Sequence, residues 1–205
     1  VNDDRRAVVI GGSAGGMAAL LQILEPLPND HRLIVLVAHH LHKDDGGRFA
    51  NHLDSHLAMS VEEAYDKAEP ERGRAYVAPA DYHLLVEADG TLALSVDPKI
   101  RWARPSIDVL FESAARAWSE ALVGVILSGA NDDGARGMKE IRKFGGLCIA
   151  QDPETAESPT MPRAAIEAAE ITNILAPPEI GEALVELSLR KPLAPEADSD
   201  RKAET

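Results

Sequence analysis

Residues 8–16, Val-Val-Ile-Gly-Gly-Ser-Ala-Gly-Gly, carry an apolar run directly into a glycine-rich turn, and a helix-like pattern follows from Met17 to Leu24. An uninterrupted apolar run that meets a helix through a tight turn is a strand buried on both faces. Such a strand starts a parallel α/β unit rather than a half-exposed antiparallel sheet. The turn also satisfies Gly-x-Ser-x-Gly through Gly11, Ser13 and Gly15. Glycines there accept positive φ and leave Ser13 at the mouth of a helix N-terminus, where a serine serves as a helix cap, a phosphate-loop residue or a nucleophile.

The same rhythm continues along the chain. Buried strands are expected at Ala7–Gly11, Leu33–Ala38, Leu122–Leu127 and Leu147–Ala150, with shorter ones at 60–64, 74–78 and 171–175. Helical segments are expected at 17–24, 47–57, 106–118, 134–144 and 179–189, with Ser106 placed to cap the third. Tyr82–Glu87 and Thr91–Val96 flank Ala88-Asp89-Gly90, which reads as a β-hairpin. The expected fold is therefore α/β: a doubly wound, mostly parallel sheet with an antiparallel hairpin, in a Rossmann-like three-layer sandwich. Residues 1–190 form the expected domain, and 191–205, rich in Pro, Ala and charge without periodicity, are expected to be a disordered tail or linker.

Composition removes several function classes. The formal net charge of −13 over 205 residues argues against a nucleic-acid surface or an anionic membrane, because phosphate neutralisation needs clustered Lys and Arg. Cys148 is the single cysteine and lies in an apolar run, so a packed thiol is expected rather than a disulfide. No apolar run approaches the roughly 20 residues that span a bilayer, and no signal peptide is visible, so the expectation is a soluble, cytoplasmic protein.

In a parallel sheet, sites gather beyond the C-terminal strand ends. Ser13 follows the first strand, His39-His40 the second, and Asn131-Asp132-Asp133-Gly134 the strand that ends at Leu127. Serine, histidine and aspartate are the parts of an acyl-transfer site: a nucleophile, the base that takes its proton, and the carboxylate that fixes the base's tautomer. An α/β-hydrolase runs Ser, acid, His, whereas no histidine follows Asp133 in this chain, so that fold is excluded. Two other classes compete. A dinucleotide loop fails because Ser13 occupies the second glycine position of Gly-x-Gly-x-x-Gly, and no acidic ribose ligand follows the second strand. A metal-dependent hydrolase would draw on His39, His40 and His42 with Asp132 or Asp133, but lacks a spacing such as His-Glu-x-x-His.

Several separate blocks resemble one family. They are Gly11-Gly12-Ser13-Ala14-Gly15-Gly16, Ala38-His39-His40-Leu41, residues 76–84 (Tyr-Val-Ala-Pro-Ala-Asp-Tyr-His-Leu), residues 104–111 (Arg-Pro-Ser-Ile-Asp-Val-Leu-Phe), Leu127 to Gly137, and Met161-Pro162-Arg163-Ala164-Ala165. In this order, over residues 6–189, they resemble the catalytic domain of the CheB family of chemoreceptor protein-glutamate methylesterases. The resemblance implies a serine esterase acting on glutamyl methyl esters of chemotaxis receptors, with possible deamidation of glutamines and no cofactor. By position it implies Ser13 as nucleophile, His40 as base, since the family has His followed by Met or Leu, and Asp133 as acid, since the family's aspartate precedes Gly-Ala. His39 falls where Gln is frequent.

The chain also departs from that pattern. Where the family commonly has Leu-Thr-Gly-Met-Gly, this chain has Leu127-Ser128-Gly129-Ala130-Asn131. The resemblance implies an oxyanion pocket at the Met position. A backbone N–H there is still available from Ala130, with Ala14 as a second donor. Asn131 is expected to tolerate a positive φ that the family's Gly would hold. The family's receiver domain is expected to lie outside this chain, if one is used at all. A partner-binding domain of the same fold, with an impaired oxyanion loop and no turnover, is the non-enzymatic alternative.

Overall fold

The computed structural model describes residues 6–189, so the expected tail at 191–205 lies outside the described residues. Seven strands form one parallel sheet in the order β3-β4-β2-β1-β7-β8-β9. These are β1 (Arg6–Gly12), β2 (Leu33–His39), β3 (Ser60–Glu63), β4 (Arg74–Val77), β7 (Leu122–Ile126), β8 (Leu147–Gln151) and β9 (Asn173–Leu175). The remaining pair, β5 (His83–Val86) and β6 (Leu92–Ser95), is an antiparallel hairpin separate from the main sheet. Among the described residues, five α-helices run between strands, α1 (Gly16–Leu24), α2 (Arg48–His56), α3 (Ile107–Trp118), α4 (Ala135–Lys143) and α5 (Thr160–Ala169), and α6 (Pro177–Leu189) follows β9.

The pleat of β1 divides the core. Val8 and Ile10 join Leu20 and Ile23 of α1, Phe49 and Leu53 of α2, and Ile180 and Leu184 of α6. Ala7 and Val9 face the other way, toward Leu110 and Phe111 of α3, Met138 of α4, Met161 of α5, and Leu84 and Leu92 of the hairpin. Helices therefore cover both faces of the sheet, as strands without a polar side require. Each large side chain buried in this way contributes on the order of 1.5–3 kcal/mol relative to exposure. Cys148 packs in the second cluster at 8% exposure, and burial pushes its thiol up to about 11. None of the described helices is long and apolar enough to cross a membrane.

One helix escapes the periodicity reading. In α5 the buried residues are Met161, Pro162, Ala165 and Ala169, so half of the inward stripe is alanine and it gives little apolar contrast. Pro162 is tolerated because it stands in the first turn, where its missing N–H has no intrahelical acceptor to lose.

Candidate active site

Strand β1 lies between β2 and β7, so the chain winds outward from it in one direction and then in the other. The loops after β1, β2 and β7 consequently meet at one edge of the sheet, the topological switch point where α/β proteins bind ligands. Ser13, His40 and Asp133 belong to those three loops.

Ser13 stands at the first corner of a tight turn. Gly16 N–H donates to Ser13 O at 2.8 Å, and Gly15 has φ +76° and ψ −6°, the third-residue geometry of a type II turn. Gly15 is also the N-cap of α1, and no side chain caps that helix. The Ser13 hydroxyl is thus not used as a cap. Gly11 plays a different part from the one its motif suggests. It lies within β1, and a Cβ there would come 2.4 Å from Ile107 Cγ2, so it serves close packing of the strand under α3 rather than positive φ.

The backbone of His40 is tied to the same turn, its N–H donating to Gly12 O at 3.2 Å. Its ring Nε2 lies 2.8 Å from Asp133 Oδ2. With Nε2–H donated to the carboxylate, the neutral ring keeps its lone pair on Nδ1. His40 is 16% exposed in its side chain and Asp133 is fully buried.

Asp133 is held from several sides. Besides His40, it accepts the Ile107 N–H at 2.8 Å, the Asp108 N–H at 3.0 Å and the Ser106 hydroxyl at 2.9 Å. Burial pushes its carboxyl up, but the hydrogen bonds from His40 and from the Asp108 and Ile107 amides outweigh burial and hold it below the usual carboxylate range. These contacts correct the expectation that Ser106 caps α3. Ser106 occupies the N-cap position but makes no side-chain capping bond, and the Asp133 carboxylate takes the first helical amides instead. The neighbouring Asp132 points elsewhere, half-exposed and salt-bridged to Arg101 at 2.8 Å.

Ser128 joins the loop after β7 to the serine turn. Its carbonyl accepts the Ser13 N–H at 2.9 Å, and its hydroxyl donates to Ala14 O at 2.7 Å while accepting the Ser158 N–H at 2.9 Å. Gln151 Oε1 in turn accepts the Ser128 N–H at 2.9 Å. Asn131 is not in a positive-φ conformation, which overturns the expected reason for an Asn at that position. Its Oδ1 accepts the Asp133 N–H at 3.1 Å, a local turn that a glycine could not make. Among the described residues, neither Ala14 N–H nor Ala130 N–H donates to a protein acceptor, and both residues are exposed.

The three neighbouring histidines diverge. His39 turns its ring onto Phe49, with centroids 4.6 Å apart, and its Nδ1 contacts His40 O. Desolvation lowers its pKa to about 4, against the opposing pull of its backbone hydrogen bonds. His42 is exposed and faces Asp44. Among the described residues, no group of three His, Cys, Asp or Glu side chains is arranged to hold a metal ion, so the alternative built on His39, His40 and His42 has no donor set.

The comparisons with known proteins bear on the same region. The family model described as CheB methylesterase matches residues 8–184. The chain belongs to the CheB methylesterase family. It is 42% identical over 181 residues to a relative from Leptospira interrogans, covering 88% of this chain and 94% of the relative. It is also 42% identical over 180 residues to the protein-glutamate methylesterase/protein-glutamine glutaminase of Symbiobacterium thermophilum, of whose length it spans 50%. The crystal structure of the Thermotoga maritima CheB methylesterase catalytic domain superposes with a TM-score of 0.85 at 34% identity, covering 89% of this chain and 98% of that one. The doubly wound sheet with its separate hairpin is thus the fold of the CheB catalytic domain.

Within this CheB fold, residues that motif reading passed over support the site: Ser106 and Asp108 around Asp133, and Ser128 and Gln151 behind the serine turn. Ser106 and Asp108 lie in a block that resembles the family; for Asp108 that was the one signal, and the local signal at Ser106 pointed to a helix cap.

Proposed function

We propose that this CheB-family chain is a serine esterase that hydrolyses glutamyl methyl esters on chemotaxis receptors, and deamidates glutamines there by the same chemistry. The observation that carries the reading is the 2.8 Å contact between His40 Nε2 and Asp133 Oδ2 in a loop hydrogen-bonded to the serine turn. In the first step Ser13 Oγ transfers its proton to His40 Nδ1 and bonds to the ester carbonyl carbon. The carbonyl electron pair moves onto oxygen, and the Ala14 and Ala130 N–H groups, which donate to no protein acceptor among the described residues, stabilise the negative charge. As the pair returns, the carbon–methoxy bond breaks and His40 gives its proton to the leaving oxygen, releasing methanol. Water then attacks the acyl-serine with His40 again as base, giving the glutamate carboxylate and free Ser13. With glutamine the leaving group is ammonia. Asp133 keeps Nε2 protonated and stabilises the imidazolium formed in each step.

A methanol-release assay with methylated receptor tests this reading. Ser13→Ala and His40→Ala are each expected to lower turnover by about 10⁴ or more. Unchanged release from Ser13→Ala would remove Ser13 from the mechanism.

A further inference from the structure

Beside the site, Ile100 and Ala103 exchange backbone hydrogen bonds of 3.1 and 2.8 Å, closing a two-residue turn around Arg101 and Trp102. Both central residues have positive φ, 49° and 67°. Hairpin turns of this kind normally use Asn-Gly, because a side chain with a Cβ is strained in the left-handed region. The turn is held in place from one side: the Arg101 guanidinium donates to Asp132 O at 2.7 Å and pairs with the Asp132 carboxylate at 2.8 Å. Its result is a Trp102 side chain that is 94% exposed and packs into no core. Strain maintained for no packing gain points to function.

The turn borders a cleft of about 240 Å³ lined by His40, Asn131, Trp102, Lys43, Lys99 and Arg104, among others. Four cations face two acids along its wall when Asp132 is added to the lining Asp81; Arg101 pairs with Asp132, and Arg104 and Lys99 share Asp81 at 2.9 and 3.7 Å, so the wall keeps a net positive charge, with Lys43 and Lys99 as its exposed donors. That balance is the reverse of the chain's, whose formal net charge is −13. A larger depression, of about 420 Å³, lies by the start of β2 around Ile34, Glu69 and Trp118, away from Ser13.

We propose that the Arg101–Trp102 turn and its basic surround are the docking site for the substrate protein. An acidic segment carrying the esterified side chain lays carboxylates beside Lys43 and Lys99, and covers the Trp102 indole while the ester enters toward His40. The inference rests on the esterase reading above. A short acidic segment fits better than a long polyanion, because the surrounding acidic surface repels the latter. A desolvated tryptophan at the centre of a polar rim is the usual anchor of such a contact.

The test separates docking from turnover. Binding of a methylated receptor fragment is measured by calorimetry in the Ser13→Ala background, so that no reaction is required. Adding Trp102→Gly is expected to weaken binding at least tenfold, while the melting temperature stays level or rises because glycine relieves the left-handed strain. Adding Lys43→Ala with Lys99→Ala is expected to weaken it at least fivefold and to flatten its salt dependence. Affinities within twofold of the parent for both sets would overturn the docking site. Methanol release by the unsubstituted protein, measured separately, decides the esterase reading whatever the affinities show.

Discussion

Asp108 and Asp133 cap each other's helices. Asp133, just before α4, accepts the Ile107 and Asp108 amides at the start of α3, while Asp108 Oδ1 accepts the Gly134 and Gly137 amides at the start of α4, at 2.9 and 2.8 Å. Two carboxylates are thus buried side by side, each satisfied by the amides that begin the other's helix. Burial, with the charge of Asp133 added, raises the Asp108 carboxyl against the pull of the Gly137 amide, Arg136 and Arg101, whereas the net shift of Asp133 is downward. Of the two, the carboxylate beside His40 is consequently the one that holds its charge to lower pH.

Asp133→Asn is expected to damage activity and stability together. A neutral amide stabilises no imidazolium and favours the wrong histidine tautomer, so turnover should fall by about 10⁴. The amide also replaces one acceptor oxygen with a donor facing either the Ile107 N–H or the Asp108 N–H, which should cost about 1–3 kcal/mol in urea unfolding. Full stability with lost activity would show that the caps are supplied from elsewhere.

Ser106→Ala removes one hydrogen bond to the same carboxylate and leaves both amides in place. A bond to a charged group is worth about 1.5–3 kcal/mol. Because Asp133 is held below its ordinary value, the stability it provides is complete above the unfolded carboxylate range and is lost as pH falls through its folded value. The variant should lose that stability at a higher pH than wild type. Superimposable stability–pH curves would assign the Ser106 hydroxyl no share in holding the charge.

His39 loses stability in the same direction, but from burial rather than from hydrogen bonds to a charge. Its folded pKa, lowered to about 4 by desolvation, lies below the unfolded value of about 6.5, so the unfolded chain takes up a proton first as pH drops. Folding stability should decline by up to about 3 kcal/mol between pH 6.5 and 4 for this reason. His39→Gln removes the titration, and its stability should fall less steeply over the same window, as denaturant melts at stepped pH would show. Equal slopes would place the acid sensitivity in other groups.

Gly15→Ala places a Cβ at φ +76° and 2.5 Å from Glu157 Cβ. Strain and overpacking together predict a loss of about 2–4 kcal/mol. Activity should drop with it, because the same turn sets the position of Ser13. A variant of normal melting temperature would mean that the loop after β8 yields readily.

The centre of the sheet was legible because β1, β2, β7 and β8 are apolar on both faces, and Ser13 because its turn is encoded within a few consecutive residues. The choice between His39 and His40 was not legible from spacing alone. Adjacent residues at a strand end point to opposite faces, and one ring packs on Phe49 while the other reaches Asp133. Ser106 read as a cap from its local context, yet its partner lies 27 residues downstream and makes the capping bonds itself. Helix α5 was hidden by alanines, whose burial leaves no periodic contrast. Asn131 was judged on backbone tolerance, whereas its side chain makes the turn that presents Asp133.

The bonds from Asp133 to α3 have a consequence for how relatives of this chain are sorted. An aspartate that begins a helix is retained by selection on folding even where esterase chemistry has been abandoned. If the proposed mechanism holds, a homologue with Asp133 intact and Ser13 or His40 replaced is expected to be a folded domain without turnover, and the acid alone is no marker of an enzyme. The informative positions for telling active from silent members are those whose side chains the fold does not need, and Ser13, which caps nothing, is the first of them.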